Sequence, residues 1–425
     1  QQSTTTTIPS SANPSFAKFA LSGTYTGATH DVLYTNTTVG TQPQVEIKKE
    51  QTQSAPNNFD HAGESGDCGI ATASGYNFTL DHKASYLCFI PRTSNEYVKR
   101  SKLIKVEIMS DDDIAGTYNI AANGALTLAS GGSKTITVTT GSGFDIDNSA
   151  DDMSKNATYA VVAPGTHSFR IRYWLRNTTD NPDGPIEGTV SKIVTLNCTA
   201  GSIQDITANL DPHDYDGDHY YQWDAQQQYW KGHEWWSANK DQPVLNYTSN
   251  GNYAQNNADS RWYHEGGGSG RFDATQSCAT LPNANEMTWY AKEGDPRWDG
   301  DELWTTMGHL YKGGMWFKKK AYIIGYNSNT AVDGTDWRTV NQSLLWFASN
   351  TLPSAADANN YFYLPALGYY YSGQLYYVGN TCGYWSSSGD PHFSNHAFYL
   401  SISGSDVGVG NDNCDSGYRV DGGFE

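Results

Sequence analysis

Positive charge is scarce in this chain. Over 425 residues, 27 Lys and Arg stand against 45 Asp and Glu, a formal net charge of −18. Phosphate contacts need clustered Lys and Arg, so nucleic acid and bare anionic membrane are excluded as main partners. Cysteine is scarce as well. The six cysteines (Cys68, Cys88, Cys198, Cys278, Cys382, Cys414) include no C-x-x-C pair, which argues against a zinc ribbon or a thioredoxin-type site, and six are too few for a disulfide scaffold of this size. No apolar run reaches transmembrane length and no signal peptide opens the chain; the Gln1-Gln2-Ser3-Thr4 start reads as a tether left after processing. The histidines His213, His219, His233, His264 and His309 are scattered, without H-E-x-x-H or comparable metal spacing.

What is abundant is Gly (42), Tyr (29) and Trp (13), with Ser and Thr throughout. That mixture favours β-structure and long loops over helices. The length exceeds one typical core, so two or three domains are expected. The first fifty residues offer short strand candidates at Phe16–Leu21, Val32–Tyr34 and Gln44–Ile47. Tyr76–Pro91 reads as a long strand with Ala84, Tyr86, Cys88 and Ile90 on one face, Cys88 and Cys198 serving as small core residues. Leu103–Met109 alternates Ile104, Val106 and Ile108 against Lys105 and Glu107, and Thr135–Thr139 repeats the pattern with Ile136 and Val138. In Phe169–Tyr173 the alternate residues Arg170 and Arg172 point outward, and Thr189–Cys198 buries Val194, Leu196 and Cys198. Turn signals about every ten residues are what a β-sandwich produces. This half, residues 1–210, reads as a structural domain with no nucleophile or acid–base pair.

Leu80-Asp81-His82-Lys83-Ala84-Ser85-Tyr86-Leu87-Cys88-Phe89, followed by Leu103–Ile108 and Gly116-Thr117-Tyr118, resembles the N-terminal half of the fimbrillin family of donor-strand pilins. The resemblance implies an all-β, transthyretin-like sandwich, export as a lipoprotein with a processed N-terminal lipid anchor, and uptake of a strand from another pilin subunit by β-augmentation. An acidic bridge follows at residues 211–219. Asp214, Asp216 and Asp218 alternate as the first ligands of a calcium loop would, but the glycine falls too early and no bidentate Glu follows, so a solvated linker is the simpler reading.

From Tyr220 aromatics take over: Trp223, Tyr229, Trp230, Trp235, Trp236. Cys278–Ala291 reads as the best helix of the chain, with Asn283 able to cap it and Glu286 reaching back. Asp299–Lys312 reads as a second short helix stopped by Gly313-Gly314, its start favoured by Asp295, Asp299, Asp301 and Glu302 against the helix dipole. An irregular stretch from about Tyr326 to Asn360 precedes the terminal strands. Among those, Gly383-Tyr384-Trp385-Ser386-Ser387-Ser388 puts one large plate inward and leaves hydroxyls for nearby backbone. Leu281-Pro282 with Glu286, Trp298-Asp299-Gly300-Asp301, Gly313-Gly314 with Trp316-Phe317, Leu364–Gly368 and Gly383–Ser387 occur in an order that is similar to the C-type lectin-like fold. The variety is the one shared by formylglycine-generating enzymes and bacterial surface domains. The resemblance covers residues 220–425 and implies an α+β head.

Departures from that family bear on function. Its sulfatase-activating members use a close cysteine pair near the C-terminus, whereas Cys382 and Cys414 lie far apart; the two are instead a candidate disulfide flanking the last strands. The Glu-Pro-Asn and Trp-Asn-Asp motifs of calcium-dependent sugar binding are missing. Exposed rings on Tyr369-Tyr370-Tyr371 and Tyr376-Tyr377, with Trp337 in the irregular stretch, are the candidate ligand contacts. The expectation is a non-enzymatic, cofactor-free adhesin at the cell surface or outer membrane. It would sit in a fimbrium as tip or accessory subunit and present its head to a glycan or to a host or bacterial surface protein. Gly417–Glu425 closing the head would leave no strand to donate. A standalone surface lipoprotein and, more remotely, a sulfatase-activating oxidase are the other readings.

Overall fold

The computed structural model describes residues 17–37, 40, 42–178, 184–421 and 424. Strands dominate. A long sheet is built from β1 (Glu50–Thr52), β2 (Lys102–Ser110), β3 (Thr135–Asp145), β4 (Gly165–Asn177), β5 (Ile186–Cys198), β6 (Arg297–Thr306), β7 (His309–Lys318) and β8 (Tyr361–Pro365), in spatial order β8-β7-β6-β5-β4-β2-β3-β1. The alternation in Thr135–Thr139 and from Val106 onward is realised, with Val106, Ile108, Ile136 and Val138 fully buried, whereas a register shift beside Leu103 buries that residue in place of the expected Ile104; β2 pairs antiparallel with both β3 and β4. Facing it, the strand Ser85–Arg92 runs between Thr158–Val162 and Ile203–Asn209. The layer between is aliphatic, with Leu87, Val106, Ile108, Val138 and Ile171 at its centre.

Several expectations for this half change. The strand Tyr76–Pro91 is shorter, because Gly75 at φ +60° and the residues after it form a turn before pairing resumes. Residues 17–21 form no strand, and Phe16 lies outside the described residues. Arg170 and Arg172 do point away from the aliphatic layer, yet they are 1 % and 6 % exposed, because the second half covers that face of the sheet. Residues 211–219 are no free tether: His213–Tyr215 lies parallel to β6, and Asp211 accepts hydrogen bonds from Ser94 N, Ser94 Oγ and Thr93 Oγ1. Burial raises the Asp211 pKa, but those bonds outweigh it and hold the carboxyl far below its usual range.

The second half contains one long helix, α1 (Ala284–Glu293), opened by the expected capping box between Asn283 and Glu286. The helix expected at Asp299–Lys312 is instead the β6–β7 hairpin. Its two turn residues, Met307 at φ +48° and Gly308 at φ +77°, take the left-handed pair that a tight hairpin turn needs. Trp304, Thr305 and Thr306, aromatic and β-branched, favour the strand over the helix. The acidic residues ahead of it therefore meet no helix dipole. A second sheet holds β9 (Thr381–Gly389), β10 (His396–Ser403) and β11 (Asp406–Asn413), with Tyr418–Arg419 and Tyr220–Tyr221 on one side and the strand Leu344–Phe347 on the other. Trp385 on β9 is fully buried, its indole donating to Tyr221 O (2.8 Å). Ser388 Oγ accepts from Ala284 N (3.1 Å), tying β9 to the first turn of α1. The core here is aromatic, centred on Trp230, Trp304, Trp337, Tyr370, Tyr384 and Phe398.

The two halves meet through the long sheet, which crosses from one to the other at a single parallel pair, Thr189 with Glu302. No helix among the described residues is long and apolar enough to cross a membrane.

Candidate functional site

The hairpin Tyr369–Tyr371 / Gln374–Tyr376 decides which rings face outward. Its register pairs Tyr369 with Tyr376 and Tyr370 with Leu375, and its turn, Ser372-Gly373, has φ of +48° and +74°. Side chains alternate across such a ribbon. Tyr370 and Leu375 are therefore fully buried. Tyr370 packs against Tyr220 (4.9 Å), Tyr229 and Trp230 and donates its hydroxyl to Pro243 O. Expected as a ligand contact, it is a core residue. So is Trp337, fully buried against Phe398, with its indole bonded to Asp333 Oδ2 (3.0 Å).

The other face is a belt of tyrosines. Tyr369 stacks on Tyr376 (5.7 Å, 25°), and Tyr377 lies 5.8 Å from Tyr376. Tyr247, from a distant loop, stands edge-on to both Tyr376 (5.9 Å) and Tyr377 (5.8 Å). Tyr247 is 59 % exposed, Tyr371 46 % and Tyr377 40 %. At its inner end Tyr369 meets Tyr418 (5.4 Å), which in turn stacks on Tyr399 and touches Trp385 (4.7 Å each). The Trp385 strand thus anchors the belt. Burial, then neighbouring Tyr377, pushes the Tyr369 phenol up to about 12, so it is a neutral hydroxyl at physiological pH.

Two belt residues sit on costly backbone. Tyr247 has φ +66° and Tyr377 φ +58°, a conformation that bulky side chains rarely adopt and that costs on the order of 1 kcal/mol or more each. Surrounding bonds hold it: Tyr247 N donates to Leu375 O (2.7 Å), and the Asn246 side chain bridges Val378 N (2.8 Å) and Val378 O (3.1 Å). The result is a firm row of flat apolar rings with hydroxyls at their edges. Such a row suits stacking on a sugar ring or on a protein surface. Tyr247 escapes sequence reasoning because its partners lie some 130 residues downstream and left-handed backbone leaves no pattern.

A second cluster lies where the halves meet. Arg172 Nη2 is 3.0 Å from Asp299 Oδ1 and 3.2 Å from Thr189 Oγ1, with Glu107 and Asp301 each at 3.7 Å. Glu302, half-buried, accepts from Thr189 Oγ1 (3.0 Å), Ser191 N (3.0 Å) and Ser191 Oγ (2.6 Å). Burial, then Asp299 beside it, pushes its carboxyl up to about 7. The Arg170 guanidinium lies 5.4 Å over the Trp316 ring, and Trp316 Nε1 donates to Asp299 Oδ2 (3.2 Å). Two clefts flank this joint, one of about 600 Å³ between Lys134 and Arg297 and one of about 430 Å³ beside Trp298. The cations come from the first half and most of the carboxylates from the second, an arrangement that fixes how the halves dock.

The remaining candidates separate. Asp214 turns toward β6 and accepts from Thr305 Oγ1 (2.6 Å), leaving Asp216 and Asp218 grouped with His219; the expected three-aspartate set is not assembled. Cys382 and Cys414 are free thiols in different clusters, Cys382 in the main aromatic core and Cys414 beside Trp223 and Cys278. Burial pushes the Cys382 thiol up to about 12, which makes it inert as a nucleophile. His264 and His233 are each 2.8 Å from a carboxylate, Asp224 and Asp241. Asp224 is fully buried and also accepts from Thr275 N, Gln276 N and Cys278 N, so that pair organises a loop.

No family model and no curated protein sequence matches this chain. Among solved structures, it is similar in part to a candidate cell adhesion protein from Bacteroides ovatus, at 14 % identity and a TM-score of 0.26, covering 42 % of this chain and 62 % of that one. A second, from Bacteroides fragilis, gives 13 % and 0.22 over 34 % and 50 %. A third, from Bacteroides uniformis, gives 15 % and 0.18 over 33 % and 64 %. This chain spans less than two thirds of the length of each, and the scores are too low to establish a shared fold.

Proposed function

We propose that the chain is a non-enzymatic cell-surface adhesin whose tyrosine belt contacts a glycan or a surface protein. The observation that carries this reading is the belt itself: Tyr247, Tyr371 and Tyr377 are exposed, and Tyr247 and Tyr377 stand on left-handed backbone. Strain of this kind concentrates where geometry serves a ligand. The belt's members are tyrosines and carry no carboxylate pair, imidazole or thiol, so contact is the chemistry they offer. Screening the whole chain on glycan and host-protein arrays tests the reading. Retained ligand that is lost when Tyr371 is changed to Ala supports it; a ligand captured equally well by Y371A argues for another surface.

The finer reading is a fimbrial tip or accessory subunit. In it the first half takes a donor strand from a neighbouring pilin, and the charged joint holds the head in one orientation. Deleting residues 1–210 then abolishes co-purification with pilin subunits, and unchanged assembly would overturn this part alone.

A further inference from the structure

We infer that the first half carries a site for a borderline divalent cation of the zinc type, formed by Asp111, Asp112 and His167. The turn after β2 carries the two aspartates, and β4 brings His167 alongside: Phe169, two residues on, pairs with Ser110. The ligand atoms of the three side chains all lie within 4.8 Å of one another.

The observation that points to a ligand is His167. It is only 5 % exposed, and neither ring nitrogen has a hydrogen-bond partner. Leaving buried polar atoms unsatisfied costs about 1–3 kcal/mol, and most buried imidazoles escape that cost by bonding a carbonyl or a carboxylate. Here Nδ1 faces Asp111 Oδ1 at 3.9 Å. That is too long for a hydrogen bond but within the separation of two ligands sharing one ion, since Zn–N and Zn–O distances of about 2.0–2.2 Å leave room for it.

The pocket is firm on two sides. The His167 ring rests on Phe169 (5.5 Å) and against Gly165, where a Cβ would come within 2.7 Å of Nε2. Asp111 is fixed by bonds to Oδ1 from Ser168 N (3.0 Å) and Ser110 Oγ (3.2 Å). Lys134 bonds the Asp111 carbonyl (2.6 Å) rather than its carboxylate. Asp112 is exposed and can close the third side by a change of rotamer.

The donor set selects the ion. One imidazole with two carboxylates suits zinc and its neighbours, whereas calcium seeks six to eight oxygens. An ion there ties the 110–112 turn to the start of β4, closing one end of the sandwich.

The test is calorimetric titration of the dialysed full chain with zinc chloride, with calcium chloride as control, alongside melting curves. The site predicts a saturable zinc equivalent that raises Tm, little response to calcium, and affinity at least about tenfold weaker in both Asp112→Asn and His167→Gln. Asp112 is exposed, so D112N folds whatever its effect on the ion and decides the matter if H167Q does not fold. Zinc binding of equal strength in D112N, or none in the wild type, overturns the site.

Discussion

The two halves bury their cores with different materials. The first packs aliphatic side chains between sheets: Val106, Ile108, Val138 and Ile171 each sit on a strand whose neighbours alternate in and out. The second packs rings, and many reach the core from loops or short hairpins, as Trp230, Trp337 and Tyr370 do. An aliphatic layer is assembled by local period, one strand at a time. An aromatic core is assembled by long-range fit, and its overflow onto the surface supplies the tyrosine belt. The half that is easier to build is thus the scaffold, and the half that is harder to build carries the contacts.

The largest effect should come from removing the plate that anchors the inner end of the belt through Tyr418. Trp385→Ala should cost about 3–5 kcal/mol, lower the denaturation midpoint and disorder the Tyr418–Tyr369 end of the belt. Little loss would mean the two cores are more alike than proposed. Next is the joint. Asp299→Ala takes from buried Arg172 its nearest carboxylate, leaving Glu107 and Asp301 at 3.7 Å; losing a hydrogen bond to a charged group costs about 1.5–3 kcal/mol, and the change should split a single calorimetric transition into two. One unsplit transition would show that the halves are not distinct cooperative units.

A smaller effect is set by pH. Glu302 has a raised pKa in the folded chain, so the folded state holds its proton between the ordinary glutamate value and about 7. Its contribution is most favourable below that window and is lost as pH rises through it. Glu302→Gln should therefore flatten stability across the window and leave the variant more stable than wild type at pH 8, as read by urea midpoints at each pH. An unchanged pH profile would remove Glu302 from the joint's titration. The smallest is Asn283→Ala, which takes the cap from α1 and should cost about 1 kcal/mol, measured by the same midpoints.

The contrast between halves also governs what the sequence could reveal. Strands such as Leu103–Met109 were legible because their period is local, and so was the α1 start, where Asn283 and Glu286 stand three residues apart. The hairpin at Met307-Gly308 was not, because a left-handed Met gives no composition signal and the acidic run before it imitates a helix N-terminus. Alternation predicted that some of Tyr369–Tyr371 would be exposed, but parity alone could not say which. Tyr370 went inward because Tyr220, on a short strand, and Trp230, in the loop after it, form the pocket for it from about 140 to 150 residues earlier. Arg170 and Arg172 were rightly placed off the aliphatic layer, while the half that covers them was invisible in their neighbourhood. Glu302 was legible as an acid, and its pairing across the joint was not.

The central claim is that the belt's strained tyrosines serve a ligand. It is tested most directly by comparing Tyr247→Gly and Tyr377→Gly with wild type, in melting temperature and in affinity for the ligand found on the arrays. Glycine adopts positive φ without penalty, so the account predicts melting at or above the wild-type temperature together with affinity weakened by about tenfold or more. Variants that melt lower yet bind as tightly as wild type would show that these rings serve stability and that the contact surface lies elsewhere.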